Sequence, residues 1–328
     1  MTKRGDTVGI IGAGAFGTAL GSVLARAGRR VVMWSRDQAV VDAIQTTRRN
    51  PRQPAAPLPE PLEATHDPRR LASEARFLVL AVTSTDVRAR SHELGDVLDG
   101  SHIVVHAIGA LAAPTNERVS EVMGQGLPTL KLGVLAGPAL PADLVEGQFA
   151  SMVVASAFDE VVAEARRLLN LPPAIRIYGS KDLAGVELAS ALAGAYTVAL
   201  GLSDGLGMAA GPRAVLITRA IAESARLGLA AGAEARTFSG LAGLGNILVR
   251  SGSDRSADYL LGRRLADGVM SADTMRTEGA RAALAGCELA KQLRVRMPVL
   301  TGVAAVLSGK LDPKNAAQLV ADNVASEE

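Results

Sequence analysis

The sequence is short of cysteine and of net charge. Its 328 residues include a single cysteine, Cys287. One thiol cannot form an internal disulfide or a thiolate metal cluster, and such scarcity is typical of a reducing cytosol. The 35 basic and 33 acidic residues nearly cancel. Broad binding to nucleic acid or to an anionic membrane surface is therefore not expected.

Signals for export and membrane insertion are also missing. The first six residues are polar, and glycines interrupt the apolar stretch that follows, which is not the pattern of a secretory signal. A long uncharged and apolar stretch, residues 188–203, is shorter than the roughly 20 residues that a membrane span needs. We expect a buried helix there and a cytoplasmic protein without a membrane segment.

The first half of the chain alternates short β-branched runs with helical stretches. Hydrophobic residues make up 48% of the sequence, which excludes disorder as a description of the whole chain. The predicted strands are residues 8–11, 30–34, 77–82, 102–106, 131–135 and 152–155. Alternation of strand and helix indicates a parallel sheet covered by helices on both faces.

Strand signals nearly disappear after Tyr178, and helical patterns take over. The predicted helices are residues 182–202, 212–229, 235–241, 254–266, 275–293 and 297–307. We therefore predict an α/β domain over residues 1–180 and an all-helical domain over residues 181–328. Two domains also agree with the chain length, at roughly 100–200 residues per domain.

A glycine motif directly follows the first predicted strand and opens a helix. Its residues are Gly12, Ala13, Gly14, Ala15, Phe16 and Gly17. This context is typical of a dinucleotide site, because the glycines allow a tight turn, close approach of a pyrophosphate, and packing of helix on strand. The phosphates then lie on free N–H groups at the helix N-terminus. The α/β domain is thus predicted to be a Rossmann-like, doubly wound sheet.

The end of the second strand leaves the choice between NAD and NADP open. Arg36 there is suited to a ribose 2′-phosphate, whereas the adjacent Asp37 could accept from the 2′-hydroxyl of NAD. Asp37 could equally be the N-cap of the helix that follows, and we favour that interpretation slightly.

Several segments, in order, resemble the bacterial NAD(P)-dependent glycerol-3-phosphate dehydrogenases over nearly the whole chain. They are residues 12–20, 136–138, 185–188, 203–207, 216–219, 226–228 and 240–245. The resemblance implies hydride transfer between a nicotinamide and the central carbon of dihydroxyacetone phosphate. It also implies that Pro141 and Glu278 contact the cofactor and that Gly137 lines the substrate pocket.

The residues that the family uses for catalysis and phosphate binding are changed in this sequence. The resemblance places the catalytic lysine on Ala193, a second lysine on Ile108 and an aspartate on Asn246. The phosphate motif begins at Ser256, but its Arg-Asn pair falls on Ala257 and Asp258.

These changes predict loss of the family's reaction. Removal of a positioned general acid typically costs 10²–10⁴-fold in rate, and a carboxylate at Asp258 would repel a phosphate dianion. We therefore expect a nucleotide-binding protein with a regulatory or binding role. A cation beside the altered positions would contradict this interpretation, and Arg255, Arg263 and Arg264 are the candidates.

The alternative is an active oxidoreductase, acting on glycerol 3-phosphate and dihydroxyacetone phosphate or on another small carbonyl compound. His106, at the end of a strand, could then replace the proton donor, although a partly exposed structural histidine is the favoured interpretation. The expected partner is a dinucleotide, NAD or NADP. A small-molecule ligand, a homodimer and a protein partner are left open, and no metal site is expected.

Overall fold

The computed structural model describes residues 4–53, 56–269 and 276–316. The chain forms two compact units. The first comprises residues 1–108 and 119–183, and the second comprises residues 109–118 and 184–328. The second unit thus takes in a short segment from within the first half of the chain.

The first unit is built on one eight-stranded sheet. Its strands are β1 (Val8–Ile11), β2 (Val31–Trp34), β3 (Leu62–Thr65), β4 (Phe77–Leu80), β5 (Ile103–His106), β6 (Leu132–Ala136), β7 (Ala150–Ala155) and β8 (Ile175–Ser180). Their order is β3-β2-β1-β4-β5-β6-β7-β8. The predicted doubly wound sheet is confirmed, with one correction: β6 and β7 pair antiparallel, while the other neighbours are parallel.

The central strands form because they are apolar on both faces. All residues of β1, β2 and β4 are buried, as expected for a parallel sheet covered by helices on both sides. Two strands were not predicted from the sequence. β3 is short, carries Glu63 and follows the proline-rich connection, whereas β8 alternates buried Ile175 and Ile177 with exposed Arg176 and Tyr178.

Helices connect these strands. They are α1 (Ala15–Arg26), α2 (Gln38–Thr47), α3 (Pro68–Glu74), α4 (Val87–Gly95), α5 (Val119–Gly126), α6 (Pro141–Val145) and α7 (Asp159–Leu169). Two of these helices, α2 and α3, begin with an aspartate N-cap. Asp37 accepts from the Ala39 N–H, and Asp67 accepts from the Arg69 N–H.

From residue 184 onward, the described part of the second unit is built from helices, as predicted. Its helices are α8 (Leu183–Gly205), α9 (Ala210–Ala230), α10 (Ala235–Phe238), α11 (Asn246–Arg250), α12 (Ala257–Ala266), α13 (Glu278–Gln292) and α14 (Pro298–Leu307). α8 is long and apolar enough to cross a membrane by length and composition, but 89% of its most apolar window is buried within the protein. It contains the predicted buried helix.

Glycines bring α8 and α12 into backbone contact. A Cβ on Gly201 would lie 2.1 Å from the Tyr259 carbonyl oxygen, and one on Gly262 would lie 2.1 Å from the Val198 carbonyl oxygen. Each helix therefore presents a glycine to the other helix's backbone, and neither position has space for a methyl group.

The substitution Gly262→Ala should lower the free energy of unfolding by about 1–3 kcal/mol, because the added methyl group forces the two helices apart. Urea denaturation measures the change. The matched control is Gly211→Ala, an exposed helical position with no atom within 4 Å of the added Cβ. A helix gains up to ~1 kcal/mol from such a change. Equal stabilities of the two variants would contradict the packing described here.

Candidate functional site

The glycine loop lies at the carboxyl end of β1, where the strand order reverses direction. β1 has β2 on one side and β4 on the other, and ligands of doubly wound sheets bind at this switch point. Gly12 has a φ of 109°, and a Cβ there would lie 2.5 Å from the Ala81 carbonyl oxygen. The turn therefore requires glycine at this position.

The N-terminus of α1 is suited to a phosphate. Gly14 is the N-cap and supplies no side-chain hydrogen bond to the helix, so the first N–H groups of α1 can point at a ligand. A Cβ on Gly14 would meet only the Ala81 carbonyl oxygen, at 3.9 Å, whereas one on Gly17 would lie 2.4 Å from the Gly12 carbonyl oxygen. Gly14 thus leaves open space above the helix, and Gly17 closes the turn against it. The residues present fit a dinucleotide.

Asn50 holds this loop in place and was missed in the sequence. Its buried side-chain Nδ2 donates to the Ala13 carbonyl oxygen at 3.1 Å and to Thr18 Oγ1 at 2.7 Å. Its Oδ1 accepts from the Arg52 N–H at 2.9 Å. An asparagine directly before a proline in a proline-rich connection looks like an ordinary turn residue, so no sequence signal distinguished it.

The residues after β2 take different roles. Arg36 is well exposed, and its guanidinium lies 3.3 Å from the Asp86 carboxylate. Asp37 is the N-cap of α2, as the favoured interpretation predicted, and its other oxygen accepts from Arg52 at 2.8 Å. The carboxylate is thus already engaged, and two arginines flank this edge of the first unit.

The other residues expected to contact the cofactor or line the pocket begin local elements or follow them. Pro141 is the first residue of α6, and Gly137 directly follows β6. Glu278 is the first residue of α13, where its carboxylate pairs with Arg281 at 2.6 Å. These positions remain predictions from the resemblance.

His106 is fully buried, so the expectation of a partly exposed histidine at the end of a strand is wrong. The reason is that β5 is an inner strand, with β4 and β6 on either side. The His106 Nδ1 accepts from the Ile108 N–H at 3.3 Å. A buried imidazole with this backbone partner gives no support to a role as substitute proton donor. Ile108 is itself 4% exposed and apolar.

In the second unit, Ala193 lies inside α8 and Asn246 begins α11. Ala193 is 1% exposed, so its methyl group is in the core. A π-helical turn, Leu241–Gly245, precedes Asn246 and turns it inward. The Asn246 Nδ2 lies 3.5 Å from Ser190 Oγ, and the Asn246 Oδ1 is buried without a hydrogen-bond partner among the described residues.

The residues to which the resemblance assigns the phosphate motif lie at the start of α12. Ser256 is its N-cap and accepts from the Tyr259 N–H, and Ala257 is exposed. Asp258 is buried, and its Oδ1 accepts from the Gly279 N–H at 2.9 Å. Burial raises the pKa of the Asp258 carboxyl, and the nearby Arg250 charge and the Gly279 N–H oppose this shift.

A cation, Arg250, lies beside Asp258 and Gly194, and it was not among the candidates from the sequence. Its Nη1 lies 3.4 Å from Asp258 Oδ2 and 3.5 Å from the place where a Cβ on Gly194 would lie. The three arginines considered from the sequence, Arg255, Arg263 and Arg264, are exposed instead. A guanidinium therefore does lie beside the altered positions, contrary to the expectation, but it is paired with the Asp258 carboxylate and so supplies no excess of positive charge there. The position of Arg250 depends on how α11 packs, which no local pattern reveals.

Tyr196, one turn beyond Ala193, belongs to the core, as favoured from the sequence. Its hydroxyl donates to Glu223 Oε2 at 3.0 Å, and Glu223 also accepts from the Val299 and Leu300 N–H groups. Burial raises the pKa of the Tyr196 phenol well above its usual value. This network joins α8, α9 and α14.

The fold and the glycine loop define a nucleotide-binding protein of the doubly wound class, and comparison with known proteins gives the family. The family described as NAD-dependent glycerol-3-phosphate dehydrogenase matches with its N-terminal part at residues 7–162 and its C-terminal part at residues 182–318. The chain therefore belongs to this family.

Individual relatives agree. A glycerol-3-phosphate dehydrogenase (NAD(P)+) of Streptomyces coelicolor is 35% identical over 306 residues, 91% of each chain. One of Halorhodospira halophila is 36% identical over 311 residues, 93% of each chain. The crystal structure of the glycerol-3-phosphate dehydrogenase of Coxiella burnetii matches with a TM-score of 0.91 at 28% identity, covering 97% of this chain and 99% of that one. The expectation of NAD or NADP as cofactor agrees with this family.

The substitution Asn50→Ala should weaken NADPH binding by about tenfold, because the glycine loop loses two hydrogen bonds. The buried Thr18 hydroxyl and Ala13 carbonyl also lose a partner, which should cost about 1–3 kcal/mol of stability. Fluorescence titration measures the affinity. Asn315→Ala, at an exposed asparagine in the second unit, is the control and should change neither quantity. Unchanged NADPH affinity in Asn50→Ala would contradict a role in the loop.

Proposed function

We propose that this protein binds NAD(P) but does not carry out its family's reduction of dihydroxyacetone phosphate, and that it has a binding or regulatory role. The observation that carries the proposal is the buried carboxylate of Asp258, one oxygen of which lies 3.3 Å from the place where a Cβ on Gly194 would be. A site for a phosphorylated ketone requires positive charge and a proton donor at these positions, as the resemblance implies.

The residues at these positions provide no proton donor for the family's reaction. Ala193 has no polar atom in its side chain. Arg250 supplies charge nearby, but a guanidinium is not deprotonated in proteins and so cannot act as a general acid near neutral pH. Asn246 likewise carries no charge with which to anchor an ammonium group. Loss of a positioned acid typically costs 10²–10⁴-fold in rate.

Binding of a substrate's phosphate group beside Asp258 is also disfavoured. The Asp258 carboxylate accepts from the Gly279 N–H, a donor that would otherwise be available to an anion. Arg250 forms an ion pair with this carboxylate, and the net charge of the pair is close to zero. A dianion placed here would meet a neutral pair instead of an excess of positive charge.

A second candidate function is an active oxidoreductase on another small carbonyl compound. Arg250 favours it, because a fixed guanidinium can stabilise the negative charge that develops on a carbonyl oxygen. We further propose a cytoplasmic location, which the single cysteine supports, and leave a homodimer or a protein partner as the alternatives for its assembly.

The direct test is NADPH oxidation with dihydroxyacetone phosphate. We expect turnover at least 10²-fold below that of the Streptomyces coelicolor relative assayed in parallel, because no general acid is present at residue 193. NADPH binding is measured on the same preparation, so that an inactive sample with a damaged cofactor site is recognised. Turnover equal to that of the relative would overturn the proposal.

A further inference from the structure

Three polar side chains of the second unit converge next to Gly109. Asn246 and Arg250 are four residues apart on α11, so they share one face of that helix. The Arg250 Nη2 and the Ser190 Oγ each lie 3.5 Å from the place where a Cβ on Gly109 would be. The Asn246 Nδ2 lies 3.5 Å from the same Ser190 hydroxyl. The absence of a side chain at Gly109 therefore leaves room for a methyl-sized group in contact with a guanidinium nitrogen and a hydroxyl.

The two terminal nitrogens of the Arg250 guanidinium face different groups. Its Nη1 is directed to Asp258 Oδ2. The other oxygen of that carboxylate, Oδ1, accepts from the Gly279 N–H. The Nη2 is the end beside Gly109 and Ser190. The side chain is 23% exposed, so it is neither sealed in the core nor free in solvent. A fixed, planar group of N–H donors is suited to a carboxylate.

The charge of this cluster favours a monoanion over a dianion. Arg250 and Asp258 together carry a net charge near zero while both are ionised. A carboxylate brings one negative charge, whereas a phosphate monoester brings nearly two at neutral pH and would experience stronger repulsion from Asp258. The ligand is therefore expected to be a carboxylate.

Asn246 adds a requirement for a hydrogen-bond donor on the ligand. Asn246 is only 1% exposed, and its Oδ1 has no hydrogen-bond partner among the described residues. A buried acceptor without a partner costs free energy that a donor would recover. A carboxylate has no donor at neutral pH, so the ligand must carry a second group such as a hydroxyl.

We propose that Arg250, Ser190 and Asn246 form a binding site for a small hydroxycarboxylate, with the carboxylate on the Arg250 guanidinium and the hydroxyl donating to the Asn246 amide oxygen. The inference rests on the proposed loss of the phosphorylated substrate and names the chemistry that replaces it. It concerns binding and requires no turnover.

Calorimetric titration of the full chain with NADPH present tests the proposal. The probes are lactate, propionate and sn-glycerol 3-phosphate. We expect lactate to bind at least tenfold more tightly than propionate, which lacks the hydroxyl, and at least tenfold more tightly than glycerol 3-phosphate. Equal affinity for lactate and propionate, tighter binding of glycerol 3-phosphate, or no binding of lactate would each overturn the proposal.

Two variants separate the roles of the side chains. Arg250→Lys keeps the charge but loses the planar pair of donors, so it should weaken lactate and propionate binding equally, by about tenfold. Asn246→Ala should bring the lactate-to-propionate affinity ratio close to one and leave propionate binding unchanged. Arg263→Lys, at an exposed arginine of α12, is the matched control and should change neither affinity. Unchanged lactate affinity in Arg250→Lys would overturn the assignment.

The wild-type titration does not depend on the folding of any variant, so the proposal stays falsifiable if the variants are unstable. The outcomes also separate this inference from the proposed function. Absence of dihydroxyacetone phosphate turnover together with absence of lactate binding overturns only the hydroxycarboxylate site. Turnover of dihydroxyacetone phosphate overturns the proposed function whatever lactate does.

Discussion

The ion pair between Arg250 and Asp258 is the interaction on which the arrangement of its neighbours in the second unit depends. Asp258 is buried and needs partners, which the Arg250 guanidinium and the Gly279 N–H supply. Removal of one partner from a buried pair is typically costly, at about 3–5 kcal/mol. The pair also fixes its neighbours: a Cβ on Gly279 would lie 2.6 Å from the Asp258 carboxylate, and one on Gly194 would lie 3.3 Å from it. Residues 194, 250, 258 and 279 therefore form one interdependent set.

This interdependence limits which residues these four positions can hold. A larger residue at position 194 would displace the carboxylate, and an uncharged residue at position 250 would leave it without a counter-charge. Asp258, to which the resemblance assigns a phosphate-binding position, thus belongs to a packed, hydrogen-bonded arrangement. The glycine loop of the first unit depends on a separate set of residues, Gly12, Gly17 and Asn50.

The sequence predicted what depends on local patterns. The apolar strands β1, β2 and β4, the glycine loop and the cap at Asp37 follow from neighbouring residues, and the structure confirms them. Features set by tertiary packing were missed. His106 is buried because β5 is an inner strand, and Arg250, the last residue of α11, pairs with Asp258 of α12 across the loop between the two helices. No spacing along the chain encodes either fact.

The claim that the Asp258 carboxylate disfavours a phosphate is tested most directly by neutralising that carboxylate. Asp258→Asn keeps an oxygen for the Gly279 N–H while it removes the negative charge next to Arg250. Titration of sn-glycerol 3-phosphate into both proteins compares the affinities. The account predicts at least tenfold tighter binding to the variant, because the guanidinium is then no longer neutralised. Equal or weaker binding to a folded Asp258→Asn protein would contradict it.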